Sequence, residues 1–161
     1  MSESDILNTG LPMARLSSIR VVGPSSLEVK WAEGERAGCT DIVDLSPALG
    51  IYKTYRRLRD NFELFATAHL IEDGDAVGWD EGKLDMSAEM IESVAAESMT
   101  PESFSQFLQR NQLTQEAAAA LLGRSRRQIG YYLKPGPVPR IVALACIGYE
   151  TLSARRKADA A

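Results

Sequence analysis

The stretch TQEAAAALLGRSRRQIGYYL (114–133) constrains the fold more than any other. Four consecutive alanines favour helix strongly, yet Gly123 interrupts the run and two arginines open the next segment. Thr114 is a good N-cap, Gly123 supplies the left-handed residue that ends a helix sharply, and Ser125 offers a second N-cap two residues on. Two short helices joined by so few residues must cross at a steep angle. Ala118 and Ala119 are small enough to let the second helix approach the first closely. At about 100° per residue, Ile129, Tyr132 and Leu133 share one face of the second helix, while Arg127 and Tyr131 point the opposite way. Arg126 and Gln128 flank the outer face, and Gly130 shares it. A glycine there either lets the helix approach a surface closely or is merely tolerated, at up to ~1 kcal/mol relative to alanine.

The flanking sequence completes a helical unit. In MTPESFSQFLQRNQ (99–112), Thr100 is an N-cap, Pro101 the first helical residue, and Glu102 complements the helix dipole. Phe104, Phe107 and Leu108 fall at i, i+3 and i+4, so one face is apolar. KPGPVPR (134–140) reads as a stiff, exposed loop, with Lys134 and Arg140 placed to meet anions. IVALACIGYETLSARRK (141–157) reads as a helix whose first part is too apolar for an exposed one, so it packs on the bundle or on another copy.

Charge divides the chain in the same place. Residues 1–98 carry 9 Lys/Arg against 18 Asp/Glu, and residues 99–161 carry 9 against 4. The second half suits a polyanion and the first half repels one. No apolar run approaches the ~20 residues that cross a bilayer, and MSESDILNTG is no secretory signal. A cytoplasmic protein with reduced thiols is expected, and no membrane association. His69 is the one histidine, Cys39 and Cys146 are far apart, and no metal-ligand spacing occurs. No nucleophile elbow or phosphate-binding glycine loop is present. The chain is therefore expected to have no catalytic residues, no bound metal and no cofactor.

The acidic half reads as strands. RLSSIRVV (15–22) and SLEVKW (26–31) flank a Gly-Pro-Ser-Ser turn, and Leu27, Val29 and Trp31 alternate with polar residues. ERAGCTDIV (35–43) reads as a third strand. VDLSPAL (43–49) reads as a turn into a short helix with Ser46 as cap. RLRDNFELF (57–65) is a second helical stretch. ATAHLIED (66–73) and DAVGWD (75–80) read as a hairpin. SAEMIESVAAES (87–98) reads as a helix capped by Ser87, with Met90, Ile91 and Val94 inward. Trp31 and Trp79 are expected in the core. Asp41, Asp44, Asp60, Asp73, Asp75, Asp80 and Glu81 are expected to serve turns rather than chemistry.

WAEGE (31–35), VDLSPAL, RLRDNFELF and VGWDEGKLDM (77–86) together resemble DUF2442, a family of small bacterial domains of unknown function, over residues 14–92. Where that family's pattern has tryptophan, proline and asparagine before a glycine, this chain has Trp79-Asp80-Glu81-Gly82. LTQEAAAALLGRSRRQIGYYL resembles the helix-turn-helix of lambda-repressor-like proteins. That resemblance implies that Gln115 clamps a phosphate, that Arg126, Arg127 and Gln128 read bases, and that Tyr131 lies a turn later. Arg124 stands where that family carries an apolar residue, and with Ser125 and Lys134 it completes the expected DNA-facing set. The expected fold is α+β: a flexible N-terminus (1–13), a small antiparallel-sheet domain with short helices (14–92) and an all-α helix-turn-helix bundle (93–161). The expected function is sequence-specific binding of double-stranded DNA by a homodimeric transcriptional regulator. A protein partner or small effector would act at the first domain. The alternative is an antitoxin-like interaction module that also binds its own operator.

Overall fold

The computed structural model describes residues 12–161, so the expected flexible N-terminus lies almost wholly outside the described residues. The chain is mixed α and β and divides into two units between Ala95 and Ala96.

The first unit holds two three-stranded antiparallel meanders. β1 (Arg15–Val21), β2 (Ser26–Glu33) and β3 (Thr40–Asp44) form one, with Leu27, Val29 and Trp31 turned inward as their period of two requires. β3 starts five residues later than expected. Gly38 N–H donates to Trp31 O at 2.9 Å and Cys39 N–H to Arg36 O, so residues 35–39 form a turn instead. β4 (His69–Ile71), β5 (Ala76–Trp79) and β6 (Leu84–Ser87) form the second meander. All four residues of β5 are buried, because it is the central strand.

Gly74 ties the two meanders together. Its φ is +95°, and a Cβ built there would stand 2.0 Å from Leu16 O of β1. Only glycine permits that approach. Arg15 Nε donates to Asp75 Oδ1 at 2.9 Å beside it.

Short helices close the unit: α1 (Ser46–Ile51), α2 (Arg56–Arg59), α3 (Phe62–Phe65) and α4 (Ala88–Ala96). Ser46 is not the cap of α1. Leu45 holds the cap position without a side-chain bond, and the Asp44 carboxylate accepts from the Ser46 N–H and hydroxyl, each at 2.9 Å. RLRDNFELF breaks into two single turns because Asn61 caps α3, accepting from Leu64 N–H at 3.0 Å. Ser87 does cap α4, accepting from Met90 N–H at 3.2 Å. The inward face of α4 is Ala88, Ile91 and Ala95, with Met90 and Val94 only at its rim, because the small alanines allow the closest approach. Trp31, Phe65, Trp79, Met86 and Ile91 share one core. Trp79 Nε1 donates to Phe65 O at 3.0 Å, which satisfies its one polar group.

The second unit contains α5 (Pro101–Arg110), α6 (Gln115–Leu122), α7 (Arg126–Tyr132) and α8 (Arg140–Asp159). Phe104, Phe107, Leu108, Ala118, Ile129, Val142 and Cys146 are its core. Each fully buried large side chain contributes about 1.5–3 kcal/mol. The loop before α8 is not wholly exposed, since Val138 fills the core. Among the described residues no helix is long and apolar enough to cross a membrane.

Candidate nucleic-acid interface

The corner is built by three caps. Thr114 Oγ1 accepts from Ala117 N–H at 3.1 Å, which starts α6 with Gln115 as its first, exposed residue. Gly123 ends α6 at φ +61°, and Arg124 N–H reaches back to Ala119 O at 2.9 Å, a six-to-one closure that requires the left-handed residue. Ser125 Oγ then accepts from Gln128 N–H at 3.2 Å while Gln128 Oε1 accepts from Ser125 N–H at 2.9 Å. This reciprocal box starts α7. It was legible as a serine three residues before a glutamine.

Burial orients α7. Ile129 is fully buried, and Tyr132 packs edge-on against Phe104 with ring centroids 5.8 Å apart. The opposite face therefore meets solvent. Arg127 Nε donates to Tyr131 Oη at 2.9 Å, and its guanidinium lies 5.6 Å from the Tyr131 ring centre. Lys134 Nζ lies 5.6 Å from the same ring. The two cations thus share one half-exposed aromatic ring, whose π-face attracts both. A Cβ added at Gly130 would meet nothing within 4 Å.

The other expected residues divide. Arg126 pairs with Glu116 of α6 at 3.1 Å, across the corner, with both side chains well exposed. That pairing depends on the angle between α6 and α7, so no local pattern announces it. Arg124 is half-buried and turns toward the Gly123 carbonyl. Ser125 and Gln128 are occupied in the box. Arg140 pairs with Glu97 rather than standing free.

A charged cluster joins the end of α5 to α8. Arg110 of α5 and Asn111 donate to the Glu150 carboxylate of α8, Asn111 at 2.8 Å. The Arg110 hydrogen bond chiefly, with Asn111 adding, holds that carboxyl below its ordinary value. Burial pushes the Cys146 thiol up to about 11. In the first unit, Asp41 accepts from Arg36 and from Trp31 Nε1, and Asp80 accepts from Arg57. Among the described residues no three His, Cys, Asp or Glu side chains gather as metal ligands.

No protein-family model matches the chain, so neither resemblance gains support from that comparison. No curated protein matches it either. Among solved structures, the chain is similar to a crystal structure from Nitrosomonas europaea ATCC 19718 described as a "Putative DNA Binding Protein". The two are 27% identical over 86% of this chain and 87% of that one, with a TM-score of 0.43.

Proposed function

We propose that the second unit is a lambda-repressor-like helix-turn-helix that binds duplex DNA sequence-specifically, with α7 in the major groove, and that the chain regulates transcription as a homodimer. The observation that carries this reading is the outward cluster of Arg127, Tyr131 and Lys134 on a short helix whose other face is fixed in the core. A helix of that width enters the major groove, and an arginine fork matches guanine O6 and N7. Gln115 at the start of α6 is placed to hold a phosphate on the adjacent backbone. One short helix offers few base contacts, so two half-sites about 34 Å apart would be read by two copies. Ile141, Leu144, Ile147 and Leu152 are apolar side chains left exposed on α8, which supports association of copies.

Selection of bound sequences from a random duplex pool, followed by gel shifts over a salt series, tests the reading. Arg127→Ala should lose about 10- to 100-fold preference for the selected site and keep weak non-specific binding. Unchanged preference in that variant refutes the role of Arg127. The mass of the complex should correspond to two chains per duplex.

A further inference from the structure

Residues 45–59 of the first unit hold four cations, Lys53, Arg56, Arg57 and Arg59, and no Asp or Glu. The remaining described residues of that unit, 12–44 and 60–95, hold 15 Asp/Glu against 5 Lys/Arg. Among those five, Arg15, Arg20, Arg36 and Lys83 each pair with a carboxylate. Lys53 and Arg56 are exposed and make no ion pair among the described residues. Local geometry explains how they are presented. Tyr55 and Leu58, three apart, are buried, and the Tyr55 hydroxyl donates to Asp85 O at 2.9 Å. The single turn between them is therefore pinned, and its other side turns outward. Tyr52, 47% exposed, stands beside Lys53 and contacts Tyr55 edge-on.

A cationic patch with an adjacent exposed ring, on a unit that is otherwise acidic, selects for a polyanion and orients it. Phosphates are attracted to this surface and repelled by the rest of the unit. We propose that the Lys53–Arg59 surface is a second contact for the phosphate backbone of duplex DNA, so that each unit of the chain carries its own DNA-binding surface. Phosphates confer no sequence preference, so this surface adds affinity and salt dependence without altering the site selected. The proposal rests on the DNA-binding reading for its partner, but not for its residues.

Two measurements on the full chain test it. The variant Lys53→Gln/Arg56→Gln loses two cations and, among the described residues, no ion pair or buried group. The slope of log affinity against log salt should become shallower by about 2, at about 0.9 per phosphate contact, with site preference intact. An unchanged slope overturns the proposal, and is the result expected if an acidic protein rather than DNA meets this surface. Crosslinking of the chain to duplex DNA, mapped by mass spectrometry, separates the two readings. Crosslinks in both 53–59 and 126–134 support both. Crosslinks in 126–134 alone overturn the second surface and leave α7 as the reader. Crosslinks in 53–59 alone support the second surface and overturn the role of α7. Crosslinks in neither segment overturn both.

Discussion

Gly74 and Gly130 differ in what a methyl group would meet. At Gly74 the backbone has a φ of +95° and the Leu16 carbonyl oxygen stands 2.0 Å from the Cβ position. Gly74→Ala should therefore cost at least ~3 kcal/mol, since both the strain and the clash must be relieved by parting β1 from the 72–74 turn. Gly130 is helical and faces open space. Gly130→Ala should stabilise the second unit by up to ~1 kcal/mol through helix propensity. Urea denaturation of the two variants checks both signs. Gly130→Ala also settles the purpose of that residue. Retained DNA affinity means tolerance, and affinity lost despite the added stability means close approach to the duplex.

At the scale of elements, Glu150 joins α8 to α5 and makes the second unit acid-sensitive. Its carboxyl lies below the ordinary value of 4.5 because Arg110 donates to it. Folding thus favours the ionised form. The contribution is complete above the ordinary value and is lost as pH falls through the folded one. Thermal melts between neutral pH and pH 3 should show a decline that is shallower in Glu150→Gln. The helices themselves were readable because their signals are local. Thr100, Thr114 and Ser125 cap where a polar residue precedes an apolar period, and Gly123 ends α6 at the positive φ that glycine takes most readily. The strand residues Leu27, Val29 and Trp31 were equally plain. What was not legible depends on distant partners. The Glu150 cluster spans 39–40 residues. The Arg126–Glu116 pair depends on the crossing of α6 and α7. β6 is four residues long and is defined by pairing with β5 rather than by its own composition. Ser46 failed as a cap because its own hydroxyl donates to the carboxylate of Asp44, two residues earlier, which also takes the Ser46 N–H.

Across the whole molecule, each unit has its own core and its own cysteine. Cys39 is exposed in the first unit, and Cys146 is buried in the second with its thiol pushed up to about 11. A thiol reagent at pH 8 should therefore modify one cysteine rapidly in the native chain and both after denaturation, because thiolate and access are both needed. The slow reaction of Cys146 then reports opening of the second unit. Duplex DNA should slow it further if the duplex stabilises that unit, by mass action.

The reciprocal bond between Ser125 and Gln128 limits what that glutamine can say to a base pair. With one lone pair of Oε1 committed to a backbone donor, the amide hydrogens, which only donate, are its least constrained polar atoms. Guanine N7 and O6, thymine O4 and phosphate oxygens remain open to it. Two-point pairing with adenine would draw on the second lone pair of the same oxygen to accept from N6, so the amide must meet that base edge in the one plane the first turn of α7 fixes for it.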